Sequence, residues 1–193
     1  MIARDNPFAP SRLEKVLAFD PALIGTTWEN LDTLWLQHGQ RAAITGHKGS
    51  GKTSLLQAWG LRLEAAGRPT ARLFFNLERN RLDASDREIL RTCTCTGRIL
   101  LVDGDCHLPW LQRRELRRAS RAAAGVLLAR HQPGPWPVLI RLQPDLRLAE
   151  TLLRRAAPQF ASHLQASLHQ KLGNHRGNLR ELWLDYYAQL SEA

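Results

Sequence analysis

The chain has 193 residues, 44% of them hydrophobic and 23% charged, which suits one α/β domain with a sizeable core, or a core plus a small appendage, and excludes a disordered chain. The longest apolar run, residues 122–129, contains a glycine and is too short to cross a bilayer. The polar opening MIARDNPFAP has no signal-peptide character, so a cytoplasmic protein with no membrane partner is expected. A net charge of +9 suits phosphate-bearing partners such as nucleic acid, although an excess of arginine over lysine is also what a GC-rich genome produces.

The opening NPFAPSRLEKVLAF begins with turn chemistry. TTWENLDTLWLQHG then predicts a helix, with Thr27 as its cap, Leu31, Leu34 and Leu36 as its apolar face, and Gly39 as its stop. RAAIT reads as a short strand, followed by the glycine-rich loop GHKGSGKTS. KTSLLQAWGLRLEAAG is a helix with Leu55, Leu56, Trp59, Leu61 and Leu63 on a broad buried face and Gly67 at its end. ARLFFNLE has a strand pattern, and RNRLDASDREILRTC is a charged stretch that is either helical or looping. RILLVDGD runs four apolar residues into acids, as a fully buried strand does, and PWLQRRELRRASRAAA is a basic helix. Two further strands, GVLLARH and WPVLIRL, are separated by the turn QPGP, and from Pro144 onward the spacing predicts two or three helices.

The loop Gly46, His47, Lys48, Gly49, Ser50, Gly51, Lys52, Thr53, Ser54 fits G-x-x-x-x-G-K-[ST] at every fixed position. Gly46, Gly49 and Gly51 let the backbone turn so that its N–H groups face a phosphate, and the helix after the loop adds its N-terminal dipole. Lys52 is placed for the β- and γ-phosphates and the Thr53 hydroxyl for Mg²⁺. ATP with Mg²⁺ is therefore the expected ligand, with Thr53 and Asp103, at the end of RILLVD, as the expected metal residues. Many such enzymes carry a glutamate directly after that acid to polarise water. Here Gly104 stands there, leaving Asp105 and Glu78 as candidate catalytic acids and slow or partner-dependent hydrolysis as the expectation.

Strands alternating with helices predict an α/β protein, a three-layer α/β/α P-loop NTPase with a mostly parallel five-stranded sheet and a short C-terminal helical lid. The expected boundaries are 1–39 for the N-terminal segment and leading helix, 40–144 for the core and 145–193 for the lid.

The order of these motifs resembles the AAA+ and STAND branch of P-loop ATPases. GVLLARHQ lies where that family has its first sensor strand, with Arg130-His131 in place of the usual polar residue. HRGNLRELWLDYY resembles the family's GNxRE lid helix. The resemblance implies that Arg180 contacts the γ-phosphate, and that Asn76 can hold a catalytic acid in an inactive position. The NPF opening is similar to that of AAA ATPases working with transposition or secretion machinery. A nucleotide-dependent switch or adaptor, with a protein partner or a homo-oligomer, is the function implied. Each transferred residue also has a plain structural reading, Arg180 as a solvated helix residue, Asn76 as a backbone cap and His131 as a packing residue.

Arg113, Arg117 and Arg121, with Arg114 and Arg118 beside them, fall on one side of the basic helix. They read as a solvated face, a nucleic-acid stripe or a subunit contact, with no aromatic platform interleaved. Trp110, Trp136 and Trp183 are expected in core or lid packing. The three cysteines are expected to be reduced, the alternative being a zinc site of Cys93, Cys95, Cys106 and His107. Two further readings stay open. One is a small-molecule or nucleoside kinase, with Asp103-Gly104-Asp105 orienting an acceptor hydroxyl. The other is a DNA-binding ATPase adaptor.

Overall fold

The computed structural model describes residues 6–192, apart from the side chains of Thr94 and Cys95. In chain order its elements are α1 (Pro10–Val16), a 3-10 turn (Pro21–Ile24), α2 (Trp28–Gln37), β1 (Arg41–Gly46), α3 (Lys52–Ala65) and β2 (Thr70–Phe74). Next come α4 (Ala84–Thr96), β3 (Ile99–Asp103), a second 3-10 turn (Asp105–His107), α5 (Trp110–Ser120), β4 (Gly125–Arg130) and β5 (Val138–Leu142). Helices α6 (Leu146–Ala156), α7 (Ala161–Asn174) and α8 (Leu179–Glu192) follow. The chain divides into a sheet unit, Thr26–Gly46 with Lys52–Arg141, and a helical unit, made of the segment through Gly25, His47–Gly51 and the residues from Leu142 onward.

In the sheet unit the strand order is β2-β3-β4-β1-β5. The pairs β2/β3, β3/β4 and β4/β1 are parallel, with Phe74 opposite Asp103, Asp103 opposite Ala129 and Thr45 opposite Arg130. Strand alternation divides β3 between two faces. Leu100 and Val102 join Leu90 and Cys93 of α4 and Leu116 of α5 in one cluster. Leu101 points the other way, to α3, where a Cβ on Gly60 would stand 2.7 Å from its methyl group. Helix α2 is anchored by Trp35, whose Nε1 donates to the Val126 carbonyl at 3.3 Å, and Trp59 makes edge contacts with both Trp28 and Trp35.

The expected apolar face of α2 needs correction. Leu31 and Trp35, one helical turn apart, are buried at 1% exposure, whereas Leu34 and Leu36 are left at 38% and 57%. Leu61 on α3 is likewise exposed. The charged stretch before β3 is a helix, and its start signal is Asp83. Its carboxylate accepts from the Asp86 N–H at 2.8 Å, while Asp86 accepts from the Asp83 N–H at 3.2 Å.

The helical unit has a core of its own, in which Leu153 of α6, Leu164, Leu168 and Leu172 of α7, and Leu182 and Tyr186 of α8 pack together with Phe8. The Phe8 ring stacks on Trp183 at 5.8 Å and lies 5.4 Å from Tyr186. Asn6, fully buried, donates to the Tyr187 carbonyl at 2.9 Å and accepts from the Phe8 N–H at 3.0 Å. The N-P-F stretch is thus a clasp that fixes the start of the described chain to α8.

Candidate functional site

In open parallel sheets ligands bind outside the carboxyl ends of the strands. In the sheet unit that edge carries Gly46 at the end of β1, Asp103 at the end of β3 and Arg130 at the end of β4. Helix α3 begins there with Lys52, which is only 7% exposed. Burial pulls the Lys52 ammonium below its ordinary pKa, and the Asp103 carboxylate opposes the shift. The Thr53 hydroxyl donates to Asp103 Oδ2 at 2.6 Å, while Ser54, the next residue of α3, is exposed. The sequence placed Thr53 and Asp103 at one metal, and the fold brings their oxygens into direct contact across 50 residues of chain.

The middle of the loop, His47–Gly51, belongs to the helical unit, where it meets the first turn of α8. Gly49 has φ +73°, and a Cβ there would fall 1.7 Å from Asn178 Oδ1 and 3.2 Å from the Arg180 nitrogen, so only glycine fits. Asn178 Oδ1 accepts from the N–H groups of Arg180 and Glu181 at 3.1 and 3.3 Å, capping α8. The neighbouring Lys48 pairs with Glu181 at 3.7 Å, an exposed contact of little energetic weight, and the His47 ring lies against Gly177. The Arg180 side chain is exposed on this first turn. Ser50 is buried, and its Oγ has no hydrogen-bond partner among the described residues. An orphaned buried hydroxyl inside a glycine-rich loop that opens a 14-residue helix is an arrangement that suits an anion.

The acids divide by environment. Gly104 takes φ +79°, and a Cβ on it would stand 2.2 Å from the Phe75 carbonyl oxygen, so the backbone leaves no place for a glutamate beside Asp103. Asp105, 6% exposed, accepts from Arg130 Nε at 2.8 Å. Burial pushes its carboxyl up, and the charges of Arg130, Arg113 and Arg117 pull it back. Asp105, Arg113 and Arg117 line a cavity of about 10 Å³, room for one water. Glu78 is exposed. Asn76 follows β2 and does not lie within it. Its Oδ1 accepts from the N–H groups of Glu78 and Arg79 at 3.0 and 2.6 Å, so its side chain closes the turn after β2.

The basic helix is less uniform than its spacing suggests. Arg113 is half-buried, with Nε enclosed, and shares a small cavity with Asp105 and Arg117, whereas Arg114, Arg117, Arg118 and Arg121 are all exposed. Trp110 overturns the expectation of core packing. It is 62% exposed and takes the Arg114 guanidinium over its ring at 5.8 Å, which also supplies the aromatic neighbour the sequence reading found missing. Trp136 packs against the sheet unit's core and Trp183 is buried in the helical unit. The alternative zinc set of Cys93, Cys95, Cys106 and His107 is not assembled among the described residues. Cys93 is buried in α4 within the core, the Cys95 side chain lies outside the described residues, and Cys106 and His107 gather with His131.

No protein-family model matches the chain, and no curated protein matches it. Among solved structures it is similar to AMPPCP-bound DnaA from Aquifex aeolicus, at a TM-score of 0.50 and 13% identity, over 85% of this chain and 64% of that one. It is also similar to PCH-2 from C. elegans, at a TM-score of 0.48 and 11% identity, over 100% of this chain and 70% of that one. The chain therefore spans less than two thirds of the DnaA chain. At 13% identity the likeness to DnaA shows the fold alone, an α/β fold with a five-stranded, mostly parallel sheet. Among the described residues no helix is long and apolar enough to cross a membrane.

Proposed function

We propose that this protein binds ATP with Mg²⁺ and works as a nucleotide-dependent switch whose intrinsic hydrolysis is slow. The observation that carries this reading is the 2.6 Å contact of Thr53 with Asp103 next to the buried Lys52, all at the mouth of a glycine loop. The neighbour DnaA, described with bound AMPPCP, supports it by analogy of fold.

In this reading the loop N–H groups of residues 46–54 and the Lys52 ammonium hold the phosphates. Thr53 would hold the metal through its hydroxyl and Asp103 would hold it through water. The bound metal ion supplies charge neutralisation at the phosphate oxygens. By the resemblance, Arg180 would contact the γ-phosphate and so distinguish triphosphate from diphosphate, since a ligand shifts only a state that it binds differentially. Gly104 and the Arg130-clamped Asp105 leave Glu78 as the acid available to orient water, consistent with slow turnover. The engagement of Asp105 also weighs against the kinase reading, in which that carboxylate would orient an acceptor hydroxyl.

A DNA-linked adaptor is a second reading, favoured by the exposed Trp110–Arg114 pair on the basic helix. One experiment tests both: wild type and Lys52→Ala are compared for ATP binding and turnover, with and without DNA. Binding by wild type that is lost in Lys52→Ala is the expected result, with turnover rising on DNA only under the adaptor reading. If wild type binds no nucleotide at millimolar ATP and Mg²⁺, the central reading fails.

A further inference from the structure

Cys106 and His107 occupy the 3-10 turn that follows β3, and His131 follows β4, the strand parallel to it. Their ligand-capable atoms, one sulfur and two ring nitrogens, all lie within 4.8 Å of one another. A tetrahedral zinc ion, with Zn–S about 2.3 Å and Zn–N about 2.0–2.1 Å, holds such atoms roughly 3.3–3.6 Å apart. The observed spacing thus needs rotamer adjustments and no movement of strands.

Three further features favour a metal here. The Gly46 backbone holds one ring nitrogen of His131, which orients the ring and leaves the other nitrogen for a ligand bond. Cys106 and His107 are half-buried and His131 is exposed, so the cluster is reachable from solvent. Asp103 lies within electrostatic reach of both Cys106 and His131, and offsets the Lys52 charge that also reaches both and the Arg130 charge that reaches Cys106.

We propose that Cys106, His107 and His131 form a zinc site with three protein ligands and a fourth position open to water. The ligand set decides the metal class. Thiolate with two imidazoles suits Zn²⁺, whereas Mg²⁺ takes oxygen ligands and is served by Thr53 and Asp103. On binding, the Cys106 thiol gives its proton to solvent, sulfur and both nitrogens donate electron pairs, and nothing is oxidised or reduced. The site needs no nucleotide, so it stands or falls separately from ATP binding.

The test uses the full chain, stripped with a chelator and titrated with Zn²⁺ and, in parallel, with Co²⁺ as a visible probe, without nucleotide and with excess Mg²⁺. One equivalent of Zn²⁺ and a tetrahedral cobalt spectrum with a sulfur charge-transfer band are expected, unaffected by Mg²⁺. Cys106→Ser and His131→Ala should each weaken binding by at least about 100-fold, the upper end of the 10–100-fold typical of outer-shell changes. Cys93→Ser, a core position on α4, should leave both the stoichiometry and the cobalt band in place. His131 is exposed, so its variant keeps the fold, which circular dichroism verifies. Binding that persists undiminished in both Cys106→Ser and His131→Ala, or no binding by wild type, overturns the site.

Discussion

The Thr53 hydroxyl donates a 2.6 Å hydrogen bond to the carboxylate of Asp103, joining the first turn of α3 to the end of β3. Each group satisfies the other, and under the proposed function both oxygens would serve a Mg²⁺ ion. Asp103→Asn keeps the shape and removes the charge. Its expected effect is a weakening of Mg²⁺-dependent ATP binding on the order of 10- to 100-fold, with Mg²⁺-free binding little changed. Calorimetry with and without EDTA reads the two values. Equal losses in both would show that Asp103 does not serve the metal.

Gly104 separates a missing glutamate from a missing opportunity. At φ +79°, with a Cβ position 2.2 Å from the Phe75 carbonyl oxygen, any side chain at this point forces the backbone of β3 or of the β2 end to move. Gly104→Glu should therefore cost about 2–4 kcal/mol in urea unfolding and bring no gain in turnover. A stable Gly104→Glu variant with fast hydrolysis would contradict the geometry.

Arg180 is exposed on the turn that packs against Gly49. Arg180→Ala should reduce the preference for ATP over ADP about tenfold, the lower end for a hydrogen bond to a charged group, and leave stability unchanged. Competition binding of the two nucleotides measures the ratio. An unchanged ratio would return Arg180 to a solvated helix position.

Asp105 is held by Arg130 at 2.8 Å, with side-chain exposures of 8% and 11%. Asp105→Asn removes the carboxylate that faces Arg130, Arg113 and Arg117. Breaking one side of a buried pair costs about 3–5 kcal/mol. Replacing both partners, Asp105→Leu with Arg130→Met, should recover most of that loss. Denaturant titration of the single and double variants separates a structural clamp from a residue kept for chemistry.

Asp185 accepts from Lys171 Nζ at 2.6 Å and pairs with His175 Nε2 at 3.0 Å, and the hydrogen bond from Lys171 is the main cause of its lowered carboxyl pKa. A carboxyl lowered on folding contributes stability above the unfolded value of about 3.9 and loses it as pH falls through the folded value. The stability difference between wild type and Asp185→Asn should be constant near neutral pH and shrink below about pH 4. A difference that persists unchanged into acid would mean that the ion pair contributes nothing.

The order of strands, glycine loop and helices was legible in the sequence, because periodicity and turn residues act over neighbours that the chain itself brings together. Lys52, Thr53 and Asp103 could be named by spacing alone. What lies beside Asp103 could not, since it depends on which strands become neighbours. The sequence offered Asp105 as a free acid, and only the pairing of β3 with β4 sets Arg130 against it. The same pairing brings His131 to Cys106 and His107, where linear spacing had suggested Cys93, a residue that α4 buries in the core. The clasp of Asn6 and Phe8 on α8 joins residues about 180 apart, and a local pattern carries no signal of that range. The sequence determined the local conformations and where the glycine-rich loop falls between β1 and α3. Tertiary structure decided which polar groups lose water and must find a distant partner, because burial is a property of the packed sheet and helices and not of any short stretch.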